Sequence, residues 1–175
     1  MKKVLKFAGI ISAVLALVAF ILLMATPVAS YKDGNLTGYY EGMNAIFGTG
    51  KQNLASGGVS LTGDFDGKLA WSGLLAWIFV LLALLILIAG IVLPLLKVKA
   101  MDKFAGLLNL IAVGLLIVAG VFAFISRAVF WSVNEFNSTD GWSLGAGWII
   151  GGILLVLAGL VAIAPAAVDF IGKKK

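Results

Sequence analysis

Asp64-Phe65-Asp66-Gly67 is the stretch whose spacing comes nearest to metal chemistry, since two alternate carboxylates before a glycine open a calcium loop in the same way. The later ligands of such a loop are missing, because Lys68 and then apolar residues follow, so no metal is expected there. The chain has no histidine, which removes the commonest metal ligand and the usual near-neutral acid–base group. It has no cysteine, which removes thiolate chemistry, disulfides and cysteine metal sites. No nucleotide loop, metal cluster or catalytic triad appears, and the acids outside the apolar stretches are scattered. We therefore assign no catalytic, cofactor-binding or metal-ligating residue, expect no cofactor, and expect a non-enzymatic protein. Asn35-Leu36-Thr37 and Asn137-Ser138-Thr139 are glycosylation acceptor sequons that matter only in a host that glycosylates. Asp169 near Lys173 reads as a helix-end ion pair.

The elements around these residues are dictated by apolar length. The 175 residues are 62% hydrophobic and 12% charged, far from the half-apolar, quarter-charged balance of a water-soluble domain. No charge lies between Lys6 and Lys32, from Leu69 to Leu96, from Phe104 to Ser126, or from Gly141 to Val168. Each stretch reaches the roughly 20 residues needed to cross a hydrocarbon core of about 30 Å. The first, Phe7 to Ala25, is longer than the apolar region of a signal peptide and reads as a spanning helix. Helices are expected at about 5–27, 70–97, 103–128 and 141–170, in a single membrane domain over 1–175, with a first outer loop at 28–69.

Lysine and arginine concentrate on the cytoplasmic side of membrane proteins. Lys2, Lys3, Lys6, Lys97, Lys99, Lys103, Lys173, Lys174 and Lys175 fall on one side if the helices alternate, against Lys32, Lys51, Lys68 and Arg127 on the other. This places both termini in the cytoplasm of a multi-pass plasma-membrane protein. Missing cysteines and lysine-rich ends suit a bacterial membrane. The net charge of +5 is read as topology signal at helix ends, not as a nucleic-acid patch. All five tryptophans lie toward the outer side. Trp71, Trp77, Trp131, Trp142 and Trp148, with Arg127, are the expected interfacial anchors, because an indole is apolar but carries an N–H that needs a partner.

Small residues four apart let helix backbones approach closely in lipid. Helix one offers Gly9, Ser12, Ala13, Ala16 and Ala19, and the fourth offers Gly145, Gly151, Gly152 and Gly159. The glycine face of the fourth helix is expected against another helix, most naturally the first. In the second helix, Leu74 to Leu96 suits lipid, and Pro94 kinks or finishes it. Asn109 in the third is expected to bond a neighbouring helix. No charge sits at the centre of a span, which counts against a proton-coupled transporter or voltage sensor.

In the first outer loop, Val59, Leu61, Phe65, Leu69 and Trp71 alternate with Ser60, Thr62, Asp64, Asp66 and Lys68. This period of two predicts a strand, or a hairpin broken at Asp66-Gly67. Asp33-Gly34 is a second turn signal, and Gly42 to Gly50 reads as an apolar plug. The fold expected is all-α and membrane-embedded: a four-transmembrane-helix bundle with a small antiparallel sheet in the first outer loop. The apolar face of that sheet should lie on the helix ends or on the second outer loop, since an isolated hairpin is only marginally stable.

Four helices, internal termini and a larger first outer loop forming a sheet resemble, in outline, the claudin-like tetraspan proteins. That family's outer loop has a Gly-Leu-Trp element and a cysteine pair. This chain has no cysteine, and Gly73-Leu74-Leu75 is no substitute, so no residue role carries over. The function expected is that of a structural or accessory subunit. It would pack with copies of itself, as a homo-oligomer, or with a larger membrane-protein complex in the lipid bilayer, with no nucleic-acid partner. The alternative is a small oligomeric channel, whose pore backbone carbonyls and subunit boundaries could line.

Overall fold

The computed structural model describes residues 2–95, 105–138 and 140–171. Lys97, Lys99, Lys103 and Lys173 to Lys175, which carry much of the charge asymmetry, lie outside the described residues, as does the proposed Asp169–Lys173 pair. The elements in chain order are α1 (Lys2–Ala25), β1 (Ala29–Asp33), β2 (Leu36–Tyr40), α2 (Gly42–Ile46), β3 (Lys51–Ser56), β4 (Val59–Asp64), α3 (Trp71–Leu95), α4 (Ala105–Val133), β5 (Trp142–Leu144) and α5 (Ala146–Ile171).

The chain is mostly helical, and α1, α3, α4 and α5 are each long and apolar enough to cross a membrane. They form a ring in which α1 packs on α3 and α5, and α4 on the same two. Every neighbour in this ring runs antiparallel. The interior is built from small residues at helical spacing. Ser12, Ala16, Ala19 and Leu23 are buried on α1, and Ala112, Leu116, Ala119 and Ala123 on α4. α3 adds Ala76, Val80 and Ala83, and α5 adds Leu155, Ala158 and Ala162. The opposite faces expose residues such as Val14, Leu17, Leu85, Val121 and Leu160. Apolar residues turned outward at this density are what a lipid solvent requires and water penalises.

At one end the strands form a single antiparallel sheet, ordered β4-β3-β2-β1-β5. Two-residue turns join its hairpins: Gly34 has φ +54 between β1 and β2, and Gly57 and Gly58 have φ +56 and +86 between β3 and β4. Two successive positive φ values are the signature of the turn that matches strand twist. The β3–β4 hairpin therefore turns at Gly57-Gly58, not at Asp66-Gly67. The strand foreseen as far as Trp71 stops at Asp64 because the next amides turn away, Phe65 N–H donating to Gly50 and Gly67 N–H to Gly48.

The sheet is also not confined to the first connection. Its fifth strand comes from the second, with Ala29 opposite Leu144 and Tyr31 opposite Trp142. Residues expected to begin the last helix are spent on that pairing. Gly145 N–H donates to Val28, and α5 begins only at Ala146. α4 runs past Arg127 to Val133, giving 29 residues and a length of about 44 Å, more than a hydrocarbon core needs. Its last turns bring Phe130 and Trp131 against Tyr40 of the sheet. The Gly42–Gly50 segment begins with α2, which fills the seam between α1 and α3. There Gly42 abuts the carbonyl of Thr26, and Ile46 fills the space over Gly73.

Candidate interaction surface on the sheet

The strand registers sort the side chains into two faces. Residues directly opposite one another share a face, so Leu144, Ala29, Tyr40 and Gln52 belong together, as do Trp142, Tyr31, Gly38, Leu54 and Leu61. The other face carries Ser143, Ser30, Lys32, Thr37, Asn53, Ser60 and Thr62. Apart from Tyr39 and Ala55, that second face is polar and bonded within itself. Asn53 Nδ2 donates to Ser60 Oγ at 3.0 Å and to Thr62 Oγ1 at 3.1 Å, and the Ser30 and Ser143 hydroxyls are 3.3 Å apart.

The apolar face centres on Tyr40. Its ring lies 5.0 Å from Phe65, 5.1 Å from Phe130, 5.1 Å from Trp142 and 5.7 Å from Phe136, centroid to centroid. Edge-on and tilted ring pairs at these distances add favourable electrostatics to the area they bury. Burial pushes the Tyr40 phenol above its ordinary pKa, because the ionised form loses hydration.

The end of α4 is shaped to complete the cluster. Glu135 has φ +57, and the amides of Glu135 and Phe136 turn back to Ser132 and Trp131. This closes the helix and swings Phe136 under the sheet. Trp131 Nε1 donates to the Ser138 carbonyl at 2.7 Å. The amide of Lys68 donates to Asn134 Oδ1 at 2.7 Å, and the Lys68 ammonium bonds Glu135, tying the two connections together. The hydrogen bond and charge of Lys68 hold the Glu135 carboxyl below the usual range.

Beyond Gly38 the same apolar face runs out of shelter. Leu54 is 41% exposed, Val59 65% and Leu61 70%. All six residues of β4 are exposed, and β4 is an edge of the sheet. Proteins usually blunt such an edge with charge, proline or a bulge. From Val59 to Gly63 there is no charge or proline, and the first charge is Asp64 at the strand's end. The surface can cover an apolar partner through its leucines and can accept a strand through its unpaired backbone groups.

The expected packing residues are distributed differently from the single face foreseen on α5. Gly151 faces α1, where an added Cβ would meet Leu23 Cδ2 at 3.3 Å, but Gly152 meets Phe124 of α4 at 2.9 Å and Gly159 meets Ile117 of α4 at 2.8 Å. The expectation that this glycine face turns to α1 is therefore corrected. α5 lies between two neighbours, and a step of about 100° sends adjacent glycines to different ones. Gly145 precedes the helix and abuts the carbonyl of Pro27. Gly9 has nothing within 4 Å of an added Cβ, so it is not part of a tight contact. On α1, Ala16 is buried and Ala13 half-buried against the core. Asn109 lies against α3, its Oδ1 3.4 Å from a Cβ built on Gly90.

Among the expected anchors, Trp71 is exposed, with its ring edge-on to Phe122, and Trp77 stacks on Phe20 at 5.5 Å. The Arg127 guanidinium lies 5.3 Å from the Trp131 ring centre. Trp142 is half-buried under the sheet. Trp131, 5% exposed, and Trp148, fully buried, do not face lipid. The sheet covers the first, and Thr26 accepts the indole N–H of the second at 3.2 Å, so these two are core residues and not anchors. Sequence reasoning missed Tyr40 as the centre of the cluster. It also missed Ser12 as a bridge, whose hydroxyl donates to the Ala158 carbonyl at 2.8 Å.

Asp64 lies opposite Lys51 at the strand end, and Asp66 is exposed. Among the described residues no three acidic side chains converge. No protein-family model matches the chain, and no curated protein matches it in sequence. The outline features behind the resemblance to claudin-like tetraspans, four long helices and a sheet drawn from the first connection, are present, with a strand of the second connection added to that sheet.

Proposed function

We propose that the protein is a multi-pass plasma-membrane protein with both termini in the cytoplasm, and that it serves without catalysis as a structural or accessory subunit. It packs with copies of itself or with a larger membrane complex. One observation carries this reading: Leu54 of β3 and Val59 and Leu61 of β4 are exposed on the same face that buries Tyr40 of β2. A run of large apolar side chains left uncovered on one sheet face is the usual mark of a surface that meets a partner. The bundle favours this over a pore through one chain, because Val80, Leu116, Leu155 and the alanines around them fill its interior.

The test is gentle extraction from native membranes, comparing the wild type with a Val59→Lys, Leu61→Lys variant. The reading expects the wild type to emerge as an oligomer or with a stoichiometric partner, and the variant to lose that association at an unchanged melting temperature. A monomeric wild type without a partner, or a variant that keeps its association, would overturn it.

A further inference from the structure

A groove of about 590 Å³ opens where α1 leaves the bundle, bounded by Met24 and Pro27 below and by Tyr39, Glu41 and Met43 above. Its volume is in the range of sites that hold small molecules. Its one charged lining residue is Glu41. The Glu41 side chain is half-buried and, among the described residues, has no basic partner; it accepts one long hydrogen bond, from Asn44 Nδ2 at 3.4 Å. A partly exposed carboxylate without a counter-charge, beside an apolar wall, attracts a cationic ligand. Tyr39, an aromatic ring, and the thioethers of Met24 and Met43 line the same groove, and rings and polarizable sulfurs favour ammonium groups and their carbon substituents.

The groove is also continuous with a strip for an apolar tail. Leu17, Ile21 and Met24 follow one another at helical spacing on α1, and all three are exposed. Carboxylate at the top and aliphatic strip below match a molecule with an ammonium head and a hydrocarbon body. We propose that this groove binds the ammonium headgroup of a phospholipid in the leaflet on the sheet side. Glu41 pairs with the ammonium, Tyr39 packs over it, and one acyl chain runs down α1. This assignment rests on the helices crossing a bilayer and is independent of the sheet's partner.

Native mass spectrometry of the detergent-solubilised full chain, offered equal phosphatidylethanolamine and phosphatidylglycerol, tests it. Phosphatidylethanolamine is expected to be retained by roughly tenfold over phosphatidylglycerol, as a charge-assisted contact implies. Glu41→Gln should abolish the preference, and so should Met43→Lys, which sets a built-in ammonium beside Glu41. Displacement of the lipid by excess free ethanolamine would assign recognition to the ammonium alone, and failure to displace it would assign it to the whole lipid. Equal retention of the two lipids by the wild type, or a preference that survives either folded variant, would overturn the proposal.

Discussion

Gly152 of α5 lies so close to Phe124 of α4 that a methyl group built on it would come within 2.9 Å of the ring. Next to it, Gly120 of α4 lies 3.0 Å from the Gly152 carbonyl by the same measure. The two helices approach at a point where neither carries a side chain, and close approach of this kind is a main source of helix association in lipid. Gly152→Leu should cost about 1–3 kcal/mol through overpacking. Gly9→Leu, with open space around it, should leave stability equal to or slightly above the wild type, because leucine is the better helix former. Thermal unfolding in one detergent separates the two, and equal losses would contradict the assigned contact.

Ser12 links α1 to α5 through a buried hydroxyl. Ser12→Ala should cost about 0.6–1.5 kcal/mol, a modest value because the Ala158 carbonyl keeps its own helical partner. A denaturant or thermal series would read this loss, and an unchanged midpoint would mean that the bond contributes nothing.

The Lys68–Glu135 pair joins the two connections at the surface. Its folded-state carboxyl pKa is depressed, so the stability it contributes is present above the usual glutamate range, about 4.3, and is lost as pH falls through the lower folded value. Both side chains are well exposed, so salt should screen the effect. The difference in melting temperature between the wild type and Glu135→Gln should shrink with acid and with added salt. A difference independent of both would contradict the pairing.

Tyr40 has a raised pKa, so its contribution is complete below the ordinary tyrosine range, about 10, and is lost as pH rises through the folded value. Tyr40→Phe should therefore gain on the wild type at alkaline pH and match it near neutrality. Tyr40→Ala should cost about 3–5 kcal/mol by emptying the centre of the ring cluster. Melting curves across the alkaline range would show both, and parallel curves for wild type and Tyr40→Phe would contradict the burial of the phenol.

The long helices were legible because charge-free length is a composition signal that needs no knowledge of neighbours. The β4 alternation was legible as far as Asp64, where local pattern and pairing agree. Beyond it, Phe65 and Leu69 continue the pattern by chance while the amides of Phe65, Gly67 and Ala70 bond to Gly50, Gly48 and Ile46, which only the tertiary fold can reveal. Trp142 to Leu144 was hidden for the same reason. Three residues after a glycine carry no strand pattern of their own and become a strand only because Ala29 to Tyr31 lies beside them. The glycines of α5 were recognisable as a packing device, but their partner depended on where α5 sits between α1 and α4. Trp131 and Trp148 looked like membrane anchors because their position near a helix end is visible in sequence and the cover over them is not.

The central claim is that the exposed apolar end of the sheet meets a partner. Leu61 and Thr62 are neighbours on opposite faces of β4, so a photo-crosslinking residue placed at each in turn, in native membranes, compares the two faces at one point of the chain. The account predicts a discrete crosslinked product, either a second copy or one membrane protein, from position 61 and none from position 62. Monomer alone from position 61, or the same products from both positions, would contradict it.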